Sequence, residues 1–311
     1  MKDKVSIITT YYNTNNRIIN CLISVMNQRL SSKFNIEYII VNDCSTDNTS
    51  EYVNVFLDLF KKQNPKQYNA IDVKHIQTKQ NLGRGGARKF GINQSTGNYL
   101  MFLDSDDHYL HNDFVYRAYD MITSTDADIC EYGLKYIDKN CDTHNMSIEQ
   151  ALTLNSKGDG NLMFLFYEDH IAFMPWTKII KREIVESKEY DDSREFDDIK
   201  TIPYWIYNSK KIIISSSIEI LYHPSETSIT TKNMNETRYG TVEAISSLFD
   251  DFKDHRGVLK AMYDRCLVDM KTILNLNSED EYFQKMSKLN TKMLSYIYPD
   301  KYKNMTVDEL F

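Results

Sequence analysis

Three carboxylates within four residues, Asp104, Asp106 and Asp107, end the apolar run Tyr99-Leu100-Met101-Phe102-Leu103. A buried strand that delivers clustered acids to its C-terminal tip presents hard oxygen ligands to a divalent cation. Desolvating such charges beside a core is costly unless a metal or another partner compensates. The plain alternative is a polar turn whose acids face water. Two other strand-type runs end in comparable residues. Val5 to Thr10 leads to Thr10 and Tyr12, and Tyr38-Ile39-Ile40-Val41-Asn42 leads to Asp43. In an open parallel sheet such tips converge on one crevice, where ligands bind. Asp43 suits a base or sugar edge that carries N–H or O–H donors, and Tyr12 suits stacking on a flat base. Asp104 and Asp106 suit ribose hydroxyls and a divalent metal bridging a diphosphate. Together they form a kit for a nucleoside diphosphate with a substituent on its β-phosphate. Thr10 and Tyr12 read equally well as ordinary structural residues, and Asp43 beside Asp47 as a charge on a helix N-terminus.

The elements that must position these residues alternate between strand and helix patterns over the first ~135 residues, the signature of an α/β fold with a mostly parallel sheet. Strands are expected at Val5 to Thr10, Glu37 to Asn42, Ile71 to Gln77, Tyr99 to Leu103 and Ala127 to Glu131. Asn13 or Thr14 can cap a helix whose apolar face is Ile18, Leu22, Val25 and Met26. Val53, Phe56, Leu57 and Phe60 have helical spacing, and Asn112 can cap a helix carrying Phe114, Val115, Ala118 and Met121. The loop Gly83-Arg84-Gly85-Gly86 opens a further helix. It fails the G-x-G-x-x-G pattern, because Arg88 holds the third glycine position. Its glycines are expected to let backbone pass close to ligand, with Arg84 and Arg88 near phosphate or anchoring the fold.

Beyond residue 140 the pattern is less regular. Asp138 to Asn145 reads as a loop, Lys211 to Ile220 as a strand interrupted by Ser215-Ser216-Ser217, and the chain from Val242 onward as helical. Ser278-Glu279-Asp280-Glu281 is a candidate capping box. The expected division is a core over 1–235 and a helical extension over 236–311.

With 311 residues, 41% of them hydrophobic and 26% charged, the chain has the makings of a soluble globular protein. A net charge of −7 argues against a nucleic-acid partner bound by general electrostatics. The five cysteines are scattered and form no Cys-x-x-Cys pair, which fits a reducing compartment. The apolar run after Met1 is too short for a secretory signal, and no run approaches the ~20 residues of a membrane span. The expectation is a cytoplasmic protein, with peripheral membrane contact left open by Lys285, Lys288 and Lys292 beside an apolar helix face. The stripes Leu267, Met270, Ile273, Leu274 and Tyr282, Phe283, Met286, Leu289, Met293, Tyr296 read as core, with a homodimer contact as the alternative.

Four motifs occur in a recognisable order. They are Tyr12-Asn13, Asp43-Cys44-Ser45-Thr46-Asp47-Asn48, Asn81-Leu82-Gly83-Arg84-Gly85-Gly86-Ala87-Arg88, and Thr96-Gly97-Asn98-Tyr99 followed by Phe102-Leu103-Asp104-Ser105-Asp106-Asp107. The N-terminal half thereby resembles the family 2 glycosyltransferases of the GT-A fold. That family has Asp-Gly-Ser where this chain has Asp43-Cys44-Ser45. The resemblance extends more weakly to ~230. Pro175-Trp176-Thr177-Lys178 resembles the family's Trp-Asn-Lys segment, and Phe196-Asp197-Asp198 its aromatic-Glu-Asp motif. Tyr222-His223-Pro224-Ser225 stands where many relatives have Tyr-Arg-x-Arg, so both arginines are absent and His223 occupies the first.

The resemblance implies a metal-dependent, inverting sugar transferase. Thr10, Tyr12, Asp43, Asn81, Arg84 and Asp104 would bind the nucleotide sugar, and Asp106, helped by His223, would hold Mn²⁺ or Mg²⁺. Asp198 would act as general base, with Asp197 as the alternative. A UDP-sugar is the favoured donor, and the acceptor is a hydroxyl on a glycan, lipid or protein. Competing readings are a nucleotidyltransferase, against which Thr9-Thr10-Tyr11-Tyr12-Asn13 lacks a glycine, and an inactive nucleotide-sugar or carbohydrate-binding protein.

Overall fold

The β-branched and aromatic runs of the first hundred residues form strands with helices between them. The computed structural model describes residues 2–137, 143–147, 150–167, 172–223, 234–276 and 280–299. Within these, ten strands make one sheet: β1 (Asp3–Tyr11), β2 (Phe34–Asn42), β3 (Ile71–Gln77), β4 (Tyr99–Phe102), β5 (His108–Tyr109), β6 (Ile129–Ile137), β7 (Thr143–Met146), β8 (Leu152–Leu154), β9 (Lys178–Lys181) and β10 (Ile212–Tyr222). Their order is β3-β2-β1-β4-β9-β6-β10-β5, with β7 on β6 and β8 on β10. Tyr38 to Val41 on β2 are all fully buried, as expected of a strand covered on both faces.

β1 runs parallel to both β2 and β4, and β2 runs parallel to β3. β6 and β10 are also parallel. Antiparallel strands join this parallel framework: β5 and β8 on β10, β7 on β6, and, where it matters most, the four-residue β9 between β4 and β6. Two antiparallel pairings in succession restore the direction, so β1, β2, β3, β4, β6 and β10 all end on the same edge. The order reverses at β1, which has β2 on one side and β4 on the other. That is the switch point at which such sheets open a crevice. The register of β10 against β6 shifts between Ile214 and Ile218, at the serines that interrupt its apolar run.

Several local expectations are corrected. The Asp138 to Asn145 stretch contains β7 from Thr143, while 138–142 lie outside the described residues. Asn13 does not cap the first helix, Ile18–Met26. It adopts a left-handed backbone (φ 51°), and its Oδ1 accepts from the amides of Thr46 (2.8 Å) and Asp47 (3.3 Å). It thus ties the loop after β1 to the loop after β2. Helix Phe114–Thr125 follows Asp113 rather than Asn112 and buries Ile122 rather than Met121. The cap of helix Glu281–Ile297 is Asp280, which accepts from the amides of Tyr282 and Phe283. Ser278 and Glu279 lie outside the described residues.

The chain divides into two compact units. One comprises Met1–Lys157 and His170–Pro224, the other Gly158–Asp169 and Ser225–Phe311. The second contains helices Asp159–Tyr167, Met234–Ser247, Arg256–Leu274 and Glu281–Ile297. It buries Met270, Ile273, Met286 and Met293, the centres of the two apolar stripes. Lys285 pairs with Glu281, and Lys292 with Asp250. Among the described residues no helix is long and apolar enough to cross a membrane. Cys21, Cys44, Cys130 and Cys266 are free thiols, and Cys141 lies outside the described residues.

Candidate active site

The crevice edge is built from the tips of β1, β2, β4 and β10 and from the N-terminus of helix Gly83–Gln94. Tyr12 stands at the β1 tip with 46% of its surface exposed, so its ring is open to a flat ligand, and Thr10 is half-buried before it. Asp43 follows β2 and is buried. Its Oδ1 accepts from the Leu82 amide (2.8 Å) and the Thr78 hydroxyl (3.1 Å), and its Oδ2 from the Gly83 amide (2.9 Å). The carboxylate therefore sits on the positive end of helix Gly83–Gln94. Asp47 does the corresponding work for helix Thr49–Gln63, accepting from the amide and hydroxyl of Thr49. Asn81 gives its amide to the Asp43 carbonyl (3.3 Å) and takes Nη1 of Arg194 (2.7 Å).

The glycines of this helix serve a closer neighbour than a ligand. A Cβ at Gly85 would lie 2.4 Å from the Ser193 carbonyl oxygen, 2.5 Å from that of Asp191 and 2.7 Å from Cβ of Asp197. The Gly85 amide donates to the Ser193 carbonyl (3.1 Å). Glycine lets the helix lie directly against the 191–197 strap. The strap ends at Phe196, held at φ 58° and ψ 21°, a conformation uncommon for a bulky residue. That turn starts helix Asp197–Asn208 and places two acids in its first turn.

Asp197 is fully buried. Its Oδ1 takes Nε of Arg84 (2.8 Å), and its Oδ2 takes Nη1 of Arg88 (2.8 Å) and the Tyr190 hydroxyl (2.8 Å). Burial alone would raise this carboxyl, but the Arg88 and Arg84 guanidiniums outweigh it and hold it below the usual carboxylate range. Asp198 differs. Burial pushes it above its ordinary value; Arg84, with Nη2 at 3.5 Å, offsets part of the rise, and the Asp197 charge adds to it. Arg84, expected near phosphate or anchoring the fold, is engaged by these two acids. Arg88 is 2% exposed and extends Nη2 to Asp104 (2.6 Å), so one guanidinium joins the tip of β4 to the strap.

Asp104 remains partly exposed at the crevice. Burial, reinforced by the charge of Asp104, raises Asp106 above its ordinary range, and Arg17 and His223 draw it partly back. Asp107 is buried. Its Oδ1 accepts from the His223 amide (2.9 Å), which brings the end of β10 to the acidic turn. Among the described residues its Oδ2 has no hydrogen-bond partner, nor has the buried Nδ1 of His223. Among the described residues no three His, Cys or acidic side chains already form a metal cage. Hard divalent cations are commonly held by one or two carboxylates, with substrate phosphates completing the shell. Adjacent Asp104 and Asp106, with orphaned buried polar atoms beside them, fit such a cation.

The part that some contributors play carried little signal in the sequence. Arg17, from the turn after β1, acts on Asp106. Tyr190 completes the Asp197 shell. Lys178, at the start of β9, donates to the carbonyls of Ala172 (2.6 Å) and Met174 (2.9 Å) and lies 3.3 Å from the buried Glu131. It fixes the segment carrying Trp176, whose ring stacks on Tyr222 at 5.7 Å. An open cavity of about 810 Å³ lies elsewhere, at the opposite ends of β1 to β3. Its Lys2 and Lys4 already serve Ser31, Asp72 and Thr96.

Residues 6–187 match the sequence profile of Glycosyl transferase family 2. The chain is 26% identical over 242 residues to glycosyltransferase GlyG of Streptococcus pneumoniae, covering 74% of this chain and 73% of that one. It is 28% identical over 222 residues to the poly(ribitol-phosphate) beta-N-acetylglucosaminyltransferase TarP of Staphylococcus aureus, covering 70% and 61%. Several curated relatives are much longer, and the match spans as little as 13% of one. Among solved structures, S. aureus TarS 1-349 in complex with UDP-GlcNAc superposes with a TM-score of 0.57 at 18% identity, covering 98% of this chain and 74% of that one.

Proposed function

The chain belongs to glycosyl transferase family 2, and from that premise we propose that it moves a sugar from a nucleoside-diphosphate donor to an acceptor hydroxyl, inverting the anomeric centre. The observation that carries this reading is the continuous ion-pair chain from Asp104 through Arg88 and Asp197 to Arg84 and Asp198. It joins acids at the crevice mouth to a separate carboxylate of raised proton affinity, in one unit.

Tyr12 offers its open ring to the base of the nucleotide. The UDP-GlcNAc held by TarS supports a UDP-sugar as donor, and the name of TarP supports a hydroxyl on a glycan or polyol-phosphate polymer as acceptor. Asp106, with Asp104 and His223 beside it, would hold Mn²⁺ or Mg²⁺, which supplies charge neutralisation to the departing diphosphate. Asp198 takes the acceptor's hydroxyl proton as the oxygen closes on the anomeric carbon and the bond from that carbon to the phosphate oxygen breaks. Asp197 is unsuited to that task, because two guanidiniums and a phenol already occupy its lone pairs. Free thiols at four cysteines support a reducing, cytoplasmic setting.

Incubation with radiolabelled UDP-, GDP- and dTDP-sugars and Mn²⁺ tests the reading. Slow release of free sugar from one donor is the expected result. Tight nucleotide-sugar binding without release would make the chain a binding protein instead.

A further inference from the structure

The guanidinium of Arg88 lies inside the protein, on no ligand-facing surface, yet it bridges two parts of the site that come from distant stretches of chain. Nη2 is 2.6 Å from Oδ1 of Asp104, at the tip of β4, and Nη1 is 2.8 Å from Oδ2 of Asp197, at the start of helix Asp197–Asn208. The same Nη1 lies 3.4 Å from the Tyr190 hydroxyl. The helix that carries Arg88 is pressed onto the strap at Gly85, where no Cβ fits. Sliding the strap along the helix would therefore break the fork or create a clash. The other oxygen of Asp197, Oδ1, takes Nε of Arg84 (2.8 Å), so the first turn that carries Asp198 is held from both sides.

We propose that Arg88 is a positioning residue for the transfer, its two-pronged guanidinium setting the separation between the donor-side acid Asp104 and the strap that carries Asp198. This rests on the transferase reading above. Lysine cannot take the role, because an ammonium is a point donor and cannot span two carboxylates in a fixed plane. Misplacing a reacting group by about 1 Å costs on the order of 10²-fold in rate. Donor affinity draws on the nucleotide contacts as well and should fall far less.

The test compares Arg88→Lys with wild type in two measurements: UDP-GlcNAc hydrolysis at saturating donor with Mn²⁺, and UDP binding with its stoichiometry by calorimetry. The expected result is a drop of at least about tenfold in turnover per UDP-binding site, with the UDP dissociation constant within about threefold of wild type. A purely structural role would lower the number of binding sites and leave turnover per site unchanged, and that outcome overturns the proposal. If Arg88→Lys does not fold, the paired variant Arg88→Gln/Asp197→Asn replaces it, since it removes both charges of the buried Arg88–Asp197 pair together and leaves Arg84 its contact with Asp198. Wild-type turnover per site in that variant also overturns the proposal. No hydrolysis of any nucleotide sugar by the wild type, with UDP still bound, would instead defeat the transferase reading on which it rests.

Discussion

Replacing Asp197 by alanine should cost far more stability than replacing its neighbour Asp198, and the structure sets the size of the difference. The Asp197 side chain has no exposed surface, and Arg88 is 2% exposed. Asp197→Ala removes acceptors for three donors and leaves the Arg88 charge buried with Asp104 alone to balance it. Breaking a buried pair in this way costs ~3–5 kcal/mol. At roughly 2–4 °C per kcal/mol for a unit of this size, the unfolding midpoint falls by about 10 °C. Asp198→Asn should leave stability at neutral pH unchanged or slightly higher, because a carboxyl of raised proton affinity is penalised when ionised in the folded state. The pH dependence follows from the opposite directions of the two shifts. Asp197 is held below its ordinary value of 3.8, so its contribution is present above that pH and is lost as pH falls through its folded-state value. The gap between wild type and Asp197→Ala should therefore close in acid. Urea and thermal unfolding of the three proteins at pH 7 and below pH 4 measure all of this. An Asp197→Ala protein within about 1 kcal/mol of wild type at pH 7 would refute the reasoning.

Gly85→Ala should destabilise by about 1–3 kcal/mol, because the Cβ clash with the strap backbone outweighs the ~1 kcal/mol that alanine gains in a helix; thermal unfolding shows the sign. Cys44 has φ 60°, where the family pattern carries glycine. Cys44→Gly should raise stability by roughly 0.5 kcal/mol in urea unfolding, as relief of left-handed strain slightly exceeds the entropy cost of glycine. The acidic limb of kcat/KM for sugar release should sit above 3.8, the ordinary aspartate value, because the Asp198 pKa is raised and only its ionised form takes a proton.

Much of the scaffold was legible because its signals are local. The runs Val5 to Thr10, Tyr38 to Asn42 and Ile71 to Gln77 are bounded by polar turns, and the structure places strands on all three. The four residues of β9 are too short to show a period, and their antiparallel entry depends on partners 80 and 50 residues earlier in the chain. Leu162 to Tyr167 is apolar without alternation and forms a helix, an ambiguity that short apolar runs carry by nature. At the site, the sequence indicated which acids follow strands but not what returns to meet them. The amides of Leu82 and Gly83 fold back onto Asp43 from 40 residues away. Asp197 and Asp198 are indistinguishable as neighbours in sequence. Their difference comes from Arg84 and Arg88, more than a hundred residues earlier, which reach one oxygen pair at close range and the other only marginally. The glycines of the loop read as room for a ligand, whereas at Gly83 and Gly85 the room is taken by the chain's own strap.

The most direct measurement is the turnover of Asp198→Asn with a hydrolysable nucleotide sugar, read beside its affinity for UDP in Mn²⁺. A positioned general base contributes on the order of 10²–10⁴-fold. Turnover should fall by at least a hundredfold on that basis, with UDP affinity within about threefold of wild type. Wild-type turnover in this variant, at unchanged affinity, would contradict Asp198 as the proton acceptor and with it the account of how the site works.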